Sequence, residues 1–220
     1  MDRSNYFYNN FLIYSTCHVL FFSFKSYESF TIGFGSINRT KPLVTMRVDP
    51  IYRTIHPQYN SVNFVNDLAL LRLPLNVTNT VAGIKPIRIP SRSQSTQTFV
   101  NAIAQVSGFG RLADQSPISD LLRYARTRVI AQNICVQYFG NAVVSANTIC
   151  TLGQDFNAQG ACANDNGGPL VLSETTGPTL IGIVSFISNS GCNAGHPIGY
   201  VRVSSYLAWL SQVAGIPLRN

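Results

Sequence analysis

The chain has 220 residues, enough for one large domain with a substantial core; 45% of them are apolar and only 11% are charged. That balance excludes a disordered chain, and the abundance of Val, Ile, Thr, Tyr and Phe favours a β-rich protein over a helical bundle. The formal charge of +7 comes from Arg and Lys residues set singly among apolar ones, not from a basic block, which argues against a nucleic-acid groove.

Residues 1–25 differ in character from the rest. An apolar run from Phe11 to Phe24 resembles the core of a secretion signal. It lacks a preceding net positive charge, however, and Lys25, Ser26 and Tyr27 stand where a small-residue cleavage site would follow. The run is also too short and too polar in its middle for a membrane span. The segment is therefore read either as a signal-like leader or as sequence misassigned to this protein.

From Ser29 onward the chain reads as short β segments. "FTIGFGS", "VTMRVD", "LALLRLP", "NAIAQVSGFG", "RYARTRVI", "LIGIVSFIS" and "GYVRV" are rich in β-branched and aromatic residues, and Gly, Pro, Asn and Ser punctuate them. There is no alternation with helices and no fixed repeat. The stretch 84–98, with its prolines and polar residues, reads as a linker between two β units. Helical spacing emerges only at the end, where Tyr206, Leu207, Trp209, Leu210 and Val213 follow Ser204 and Ser205 as candidate N-caps.

Five cysteines, Cys17, Cys135, Cys150, Cys162 and Cys192, form no CxxC pair, and the three histidines are scattered, so no metal-ligand pattern is present. Asn38-Arg39-Thr40 and Asn76-Val77-Thr78 are glycosylation sequons, meaningful if the chain is secreted.

Seven landmarks then fall in a recognisable order: "IHPQYN" (55–60), "NDLALLRL" (66–73), "IKPIRIP" (84–90), "VSGFGR" (106–111), "CANDNGGPL" (162–170), "GIVSF" (182–186) and "GCNAGHPIGYVRVSSYLAWL" (191–210). On these the chain resembles the trypsin/chymotrypsin serine-protease family, and within it the brachyurin-like chymotrypsins and collagenases of arthropods. The resemblance implies an all-β fold of two antiparallel Greek-key barrels with a C-terminal helix. Residues 26–93 would form a partial amino-terminal barrel, 94–204 a carboxy-terminal barrel and 205–220 the helix. The amino-terminal barrel is expected to be incomplete, because only 17 residues precede His18.

The same resemblance assigns disulfides Cys135–Cys150 and Cys162–Cys192, and leaves Cys17 without a family partner. Catalysis in this family needs a serine oxygen, a histidine that takes its proton and a buried aspartate that orients the histidine. Asp67 matches the aspartate. His18, in "STCHV", matches the histidine only loosely, since Val19 stands where a cysteine should follow and Cys17 precedes it instead. His56 matches a structural position, and His196 is expected to be solvated.

The serine is replaced by Asn166, whose carboxamide nitrogen is not nucleophilic because its lone pair is delocalised into the carbonyl. Asn164 takes the place of the family glycine whose N–H helps bind the oxyanion. Asp165 matches the aspartate that pairs with a new α-amino terminus in active members; the Ile/Val-Val-Gly-Gly cleavage segment is absent, so Asp165 is expected to turn outward or find other donors. Gly167 completes that loop. Gly160 is placed at the base of the specificity pocket, and Ser185 and Phe186 in its backbone-binding segment. Ile187 and Ile198 stand where small wall residues are usual, so the pocket should be narrowed.

The reading that follows is a secreted serine protease homologue without proteolysis. It would need no cofactor or metal, and would bind a protein or peptide ligand as a monomer, without nucleic acid or membrane. The alternatives are an endopeptidase of residual activity and a non-functional truncated paralogue.

Overall fold

Alternating side chains along residues 103–108 and 123–130 give these segments one face for a core and one for water, the period that defines half-buried strands. The computed structural model describes residues 7–8, 11–14, 29–76, 83–154 and 160–220. Twelve strands are formed among them: β1 (Phe7–Tyr8), β2 (Phe11–Tyr14), β3 (Phe30–Phe34), β4 (Val44–Val48), β5 (Arg53–Ile55), β6 (Ala69–Arg72), β7 (Ile103–Gly108), β8 (Arg123–Ile130), β9 (Thr148–Gly153), β10 (Pro169–Glu174), β11 (Gly177–Phe186) and β12 (Ile198–Arg202). Six of them close into a barrel in the order β10-β11-β12-β9-β8-β7, all described pairs being antiparallel. Its interior is filled by Val106, Ile149, Leu170, Ile181, Val184 and Tyr200.

The amino-terminal strands, as described, form a four-stranded sheet, β1-β2-β6-β5, and a separate β3–β4 ribbon rather than a closed barrel. Part of the atypical leader is thus strand: Phe11–Tyr14 pairs with Ala69–Arg72 in register Phe11 to Arg72. Phe34, Met46, Val48, Leu71 and Ile84 make the core of this half. The 84–98 stretch does connect the halves, but it is more than a polar linker. Ile87 and Ile89 join Leu68, Leu207 and Leu210 in a core cluster, so its apolar residues help hold the halves together.

The carboxy-terminal helix, here α2 (Leu207–Ala214), is present as expected. Its start differs. Val203–Tyr206 first forms a 3-10 turn, and Tyr206 is the N-cap without a side-chain capping bond, so neither serine caps the helix. Leu207 and Leu210 are buried by it, each worth roughly 1.5–3 kcal/mol relative to exposure. Gly215 ends it at φ 65°, a left-handed conformation that favours glycine.

A second helix, α1 (Gln132–Phe139), was not expected from the sequence. Its N-cap is Ala131, which offers no capping oxygen, and Cys135 is its one buried residue, so neither a cap nor an apolar stripe announces it. The disulfide Cys135–Cys150 pins it to β9. No described helix is long and apolar enough to cross a membrane.

Candidate active site

Asp67 owes its place to the turn before β6. Asn66 is left-handed there (φ 55°), its amide donates to the Gln58 carbonyl at 2.9 Å, and its carbonyl accepts from Tyr206 Oη at 2.9 Å. Burial pushes the Tyr206 phenol up to about 12, keeping it a neutral donor. The next residue, Asp67, is fully buried and points to β11, where Ser185 Oγ donates to its Oδ2 at 2.6 Å.

Asn166 arrives at the same strand from the other side. Its loop is tight: Gly168 N–H bonds back to Asp165 O at 2.8 Å, and Gly167 N–H donates to Val184 O at 2.8 Å. A Cβ at Gly168 would lie 2.7 Å from the Asp165 carbonyl oxygen and 2.9 Å from that of Ser107, so only glycine fits. This geometry delivers Asn166 Nδ2 to the main-chain carbonyl of Ser185, at 2.6 Å. Ser185 therefore joins the two: its hydroxyl holds Asp67 and its carbonyl holds Asn166. Asn164 takes the left-handed conformation (φ 72°) and is exposed.

Asp165 is satisfied by other donors, the second of the two outcomes expected for it. Oδ1 accepts from Gly110 N–H at 2.8 Å and Oδ2 from Cys162 N–H at 3.0 Å. Burial raises its pKa, and the two N–H donors oppose that rise. A Cβ at Gly108 or Gly110 would collide with the carboxylate, so both glycines are the walls that admit it. It faces a cavity of about 720 Å³ whose lining includes Arg111, Arg123, Tyr124 and Asn193.

The residues expected to line the specificity pocket are close-packed. The Ile198 methyl end lies directly over Gly160, and Ile198 is 7% exposed. Phe186 covers Gly199, stacks on Phe64 of the amino-terminal half at 6.1 Å, and meets Phe139 of α1 edge-on at 5.0 Å. Ile187 packs, half-buried, against the barrel core.

Both disulfides form as the resemblance implied, Cys135–Cys150 and Cys162–Cys192, with Cα separations of 6.2 and 5.1 Å. Asp114 lies against the second bridge, but the two sulfurs are bonded to each other. Its carboxylate accepts from Cys192 N–H at 2.7 Å, so the trio acts as a clamp on the 191–193 turn rather than a cation site. His196 is half-buried instead of solvated: Nδ1 lies 2.8 Å from Ser188 Oγ, and the ring sits 5.1 Å from Tyr138. His56 packs on Tyr206 and Trp209 at 5.4 and 5.1 Å, in keeping with a structural role. His18 and Cys17 lie outside the described residues.

Sequence reasoning missed Gly110, Asp114, Phe64 and Phe139. Each acts across 47 or more residues, as Phe139 to Phe186 and Gly110 to Asp165 illustrate, and no local pattern marks such partners.

A closed six-stranded barrel, a second β unit and a buried aspartate of that unit bonded to Ser185 of the barrel make this a chymotrypsin-like fold. The Trypsin family profile matches residues 24–210, and the chain belongs to that family. Among its relatives, a collagenase of Hypoderma lineatum is 38% identical over 161 residues, which is 73% of this chain and 58% of that protein. Serine protease 1 of Drosophila melanogaster is 33% identical over 186 residues, 84% of this chain and 67% of that protein. A solved collagenase structure superposes with a TM-score of 0.81 at 29% identity, covering 97% of this chain and 86% of that one. The chain thus spans a little under three-fifths of the Hypoderma protein.

Proposed function

We propose that this chain is a non-catalytic member of the family, an extracellular protein that binds a peptide or protein segment without cleaving it. The observation that carries this reading is the Asn166–Ser185 bond. A carboxamide occupies the nucleophile position and its nitrogen is held by the Ser185 carbonyl at 2.6 Å, so no nucleophilic atom is presented there. In subtilisin, an unrelated serine protease, loss of the serine costs about a millionfold in turnover. Asn164, in the oxyanion position, adds a side chain where a substrate carbonyl would sit, and Ile198 fills the floor of the pocket over Gly160. What remains open to a ligand is the cavity of about 720 Å³ at Asp165, whose lining includes Arg111, Arg123 and Tyr124, on a scaffold stapled by two disulfides suited to an oxidising compartment.

The test is reaction with a fluorophosphonate probe. The purified protein is expected to remain unlabelled; stoichiometric labelling would overturn the proposal in favour of a working endopeptidase, which the names of the relatives make the competing reading.

A further inference from the structure

The loop between β3 and β4 carries a carboxamide set up for modification. Asn38 Oδ1 accepts from Thr40 N–H at 3.0 Å and from Thr40 Oγ1 at 2.8 Å, an Asx turn that fixes the side-chain carbonyl. The nitrogen of the same carboxamide donates to no protein group among the described residues and is not among the buried unsatisfied atoms, so it reaches solvent. Asn38-Arg39-Thr40 supplies the sequence an N-glycan acceptor needs, and Thr40 is already hydrogen-bonded to the group that reacts.

The loop is anchored rather than loose. Leu122 N–H donates to Ile37 O at 2.7 Å, Arg39 N–H to Asp120 O at 2.9 Å, and Arg39 pairs with the Asp120 carboxylate at 2.6 Å. Asn38 stands directly opposite Leu121 in an antiparallel bridge, so the two side chains share one face. Leu121 is 45% exposed, an apolar group left facing water at the seam between the two β units.

We infer that Asn38 carries an N-linked glycan, whose first sugars cover Leu121. The donor is a lipid-pyrophosphate-linked oligosaccharide. Nδ2 forms the new bond to the anomeric carbon, the bond from that carbon to the pyrophosphate oxygen breaks, the pyrophosphate leaves with the electron pair, and Nδ2 loses one proton. The folded loop accepts the sugar without rearrangement, because Nδ2 points to solvent and Oδ1 keeps both of its donors. The inference rests on the extracellular part of the proposed function.

The experiment delivers the whole chain into the secretory pathway of insect cells behind a heterologous leader and maps glycopeptides by mass spectrometry. Forced entry separates the site from the compartment. A translocated chain bare at Asn38 overturns the inference, and so does occupancy at Asn76 alone; neither result touches the non-catalytic reading. Occupancy at Asn38 supports it, with complete loss in Asn38→Asp and in Thr40→Ala and retention in Thr40→Ser. Asn38→Asp keeps the Oδ1 acceptor and hence the turn, so its loss of sugar is not a failure to fold; sugar at Asn38 persisting in Thr40→Ala would count against the assignment.

Discussion

Asn166 and Ser185 are joined by a hydrogen bond from the Asn166 side-chain nitrogen to the Ser185 main-chain carbonyl at 2.6 Å. Asn166 is thereby part of the scaffold, a tie between a loop and β11. Replacing it with Ala should remove about 0.5–1.5 kcal/mol of stability, read as a lower urea midpoint. Replacing it with Ser, together with Asn164→Gly, should restore neither probe labelling nor peptide hydrolysis. Robust proteolysis from that double variant would show that Asp165 needs no new amino terminus.

Ser185 also supplies a donor to Asp67, a carboxylate with no exposed surface. Ser185→Ala leaves that charge short of one bond and should cost about 1.5–3 kcal/mol. Ser185→Thr, which keeps the hydroxyl, should recover part of the loss. A urea midpoint unchanged by Ser185→Ala would mean that Asp67 is held by its other contacts.

Ile198 and Gly160 form a fitted pair. Gly160→Ala alone overpacks the site and should cost about 1–3 kcal/mol. Ile198→Ala alone opens a void and should cost about 2–5 kcal/mol. Combined, the two should lose less than the sum of the single effects, since the added methyl enters the space that Ile198 vacates. Strict additivity in a double-mutant cycle would refute the contact.

Two groups make stability depend on pH in opposite directions. Burial lowers the His56 pKa below its ordinary 6.5, so the unfolded chain takes up a proton that the folded one resists. That contribution is present above about pH 6.5 and is lost as pH falls below it. Burial raises the Asp165 pKa, so the folded state holds a proton more readily than the unfolded one. Its contribution is full below the ordinary carboxylate range and disappears as pH rises through the raised value. Urea midpoints measured across this range should show His56→Gln removing the loss below about pH 6.5 and Asp165→Asn removing the gain at acid pH. Identical pH profiles for these variants and the parent would contradict both assignments.

Much of the fold was legible because strand patterning is local. β3, β4, β6, β7, β8, β11 and β12 were all visible as β-branched or aromatic runs, while β5, with three residues, was too short to stand out. β9 escaped because Thr148–Thr151 is buried throughout, leaving no alternation to read. β10 was hidden for another reason: it opens on Pro169, which reads as a breaker. In the site, "CANDNGGP" and "NDLALL" located Asn166 and Asp67 by pattern. That both converge on Ser185 was invisible, because it depends on three segments meeting in space.

The six-stranded barrel is a ring, and a ring has no terminal strand from which to unzip. Amide protons in β7 to β12 should therefore exchange with solvent water together, through one large opening event, whereas those of an open sheet can be released progressively from its margins. Asn166, Ser185 and Asp165 are fastened to that ring, so their geometry persists as long as the ring stays shut.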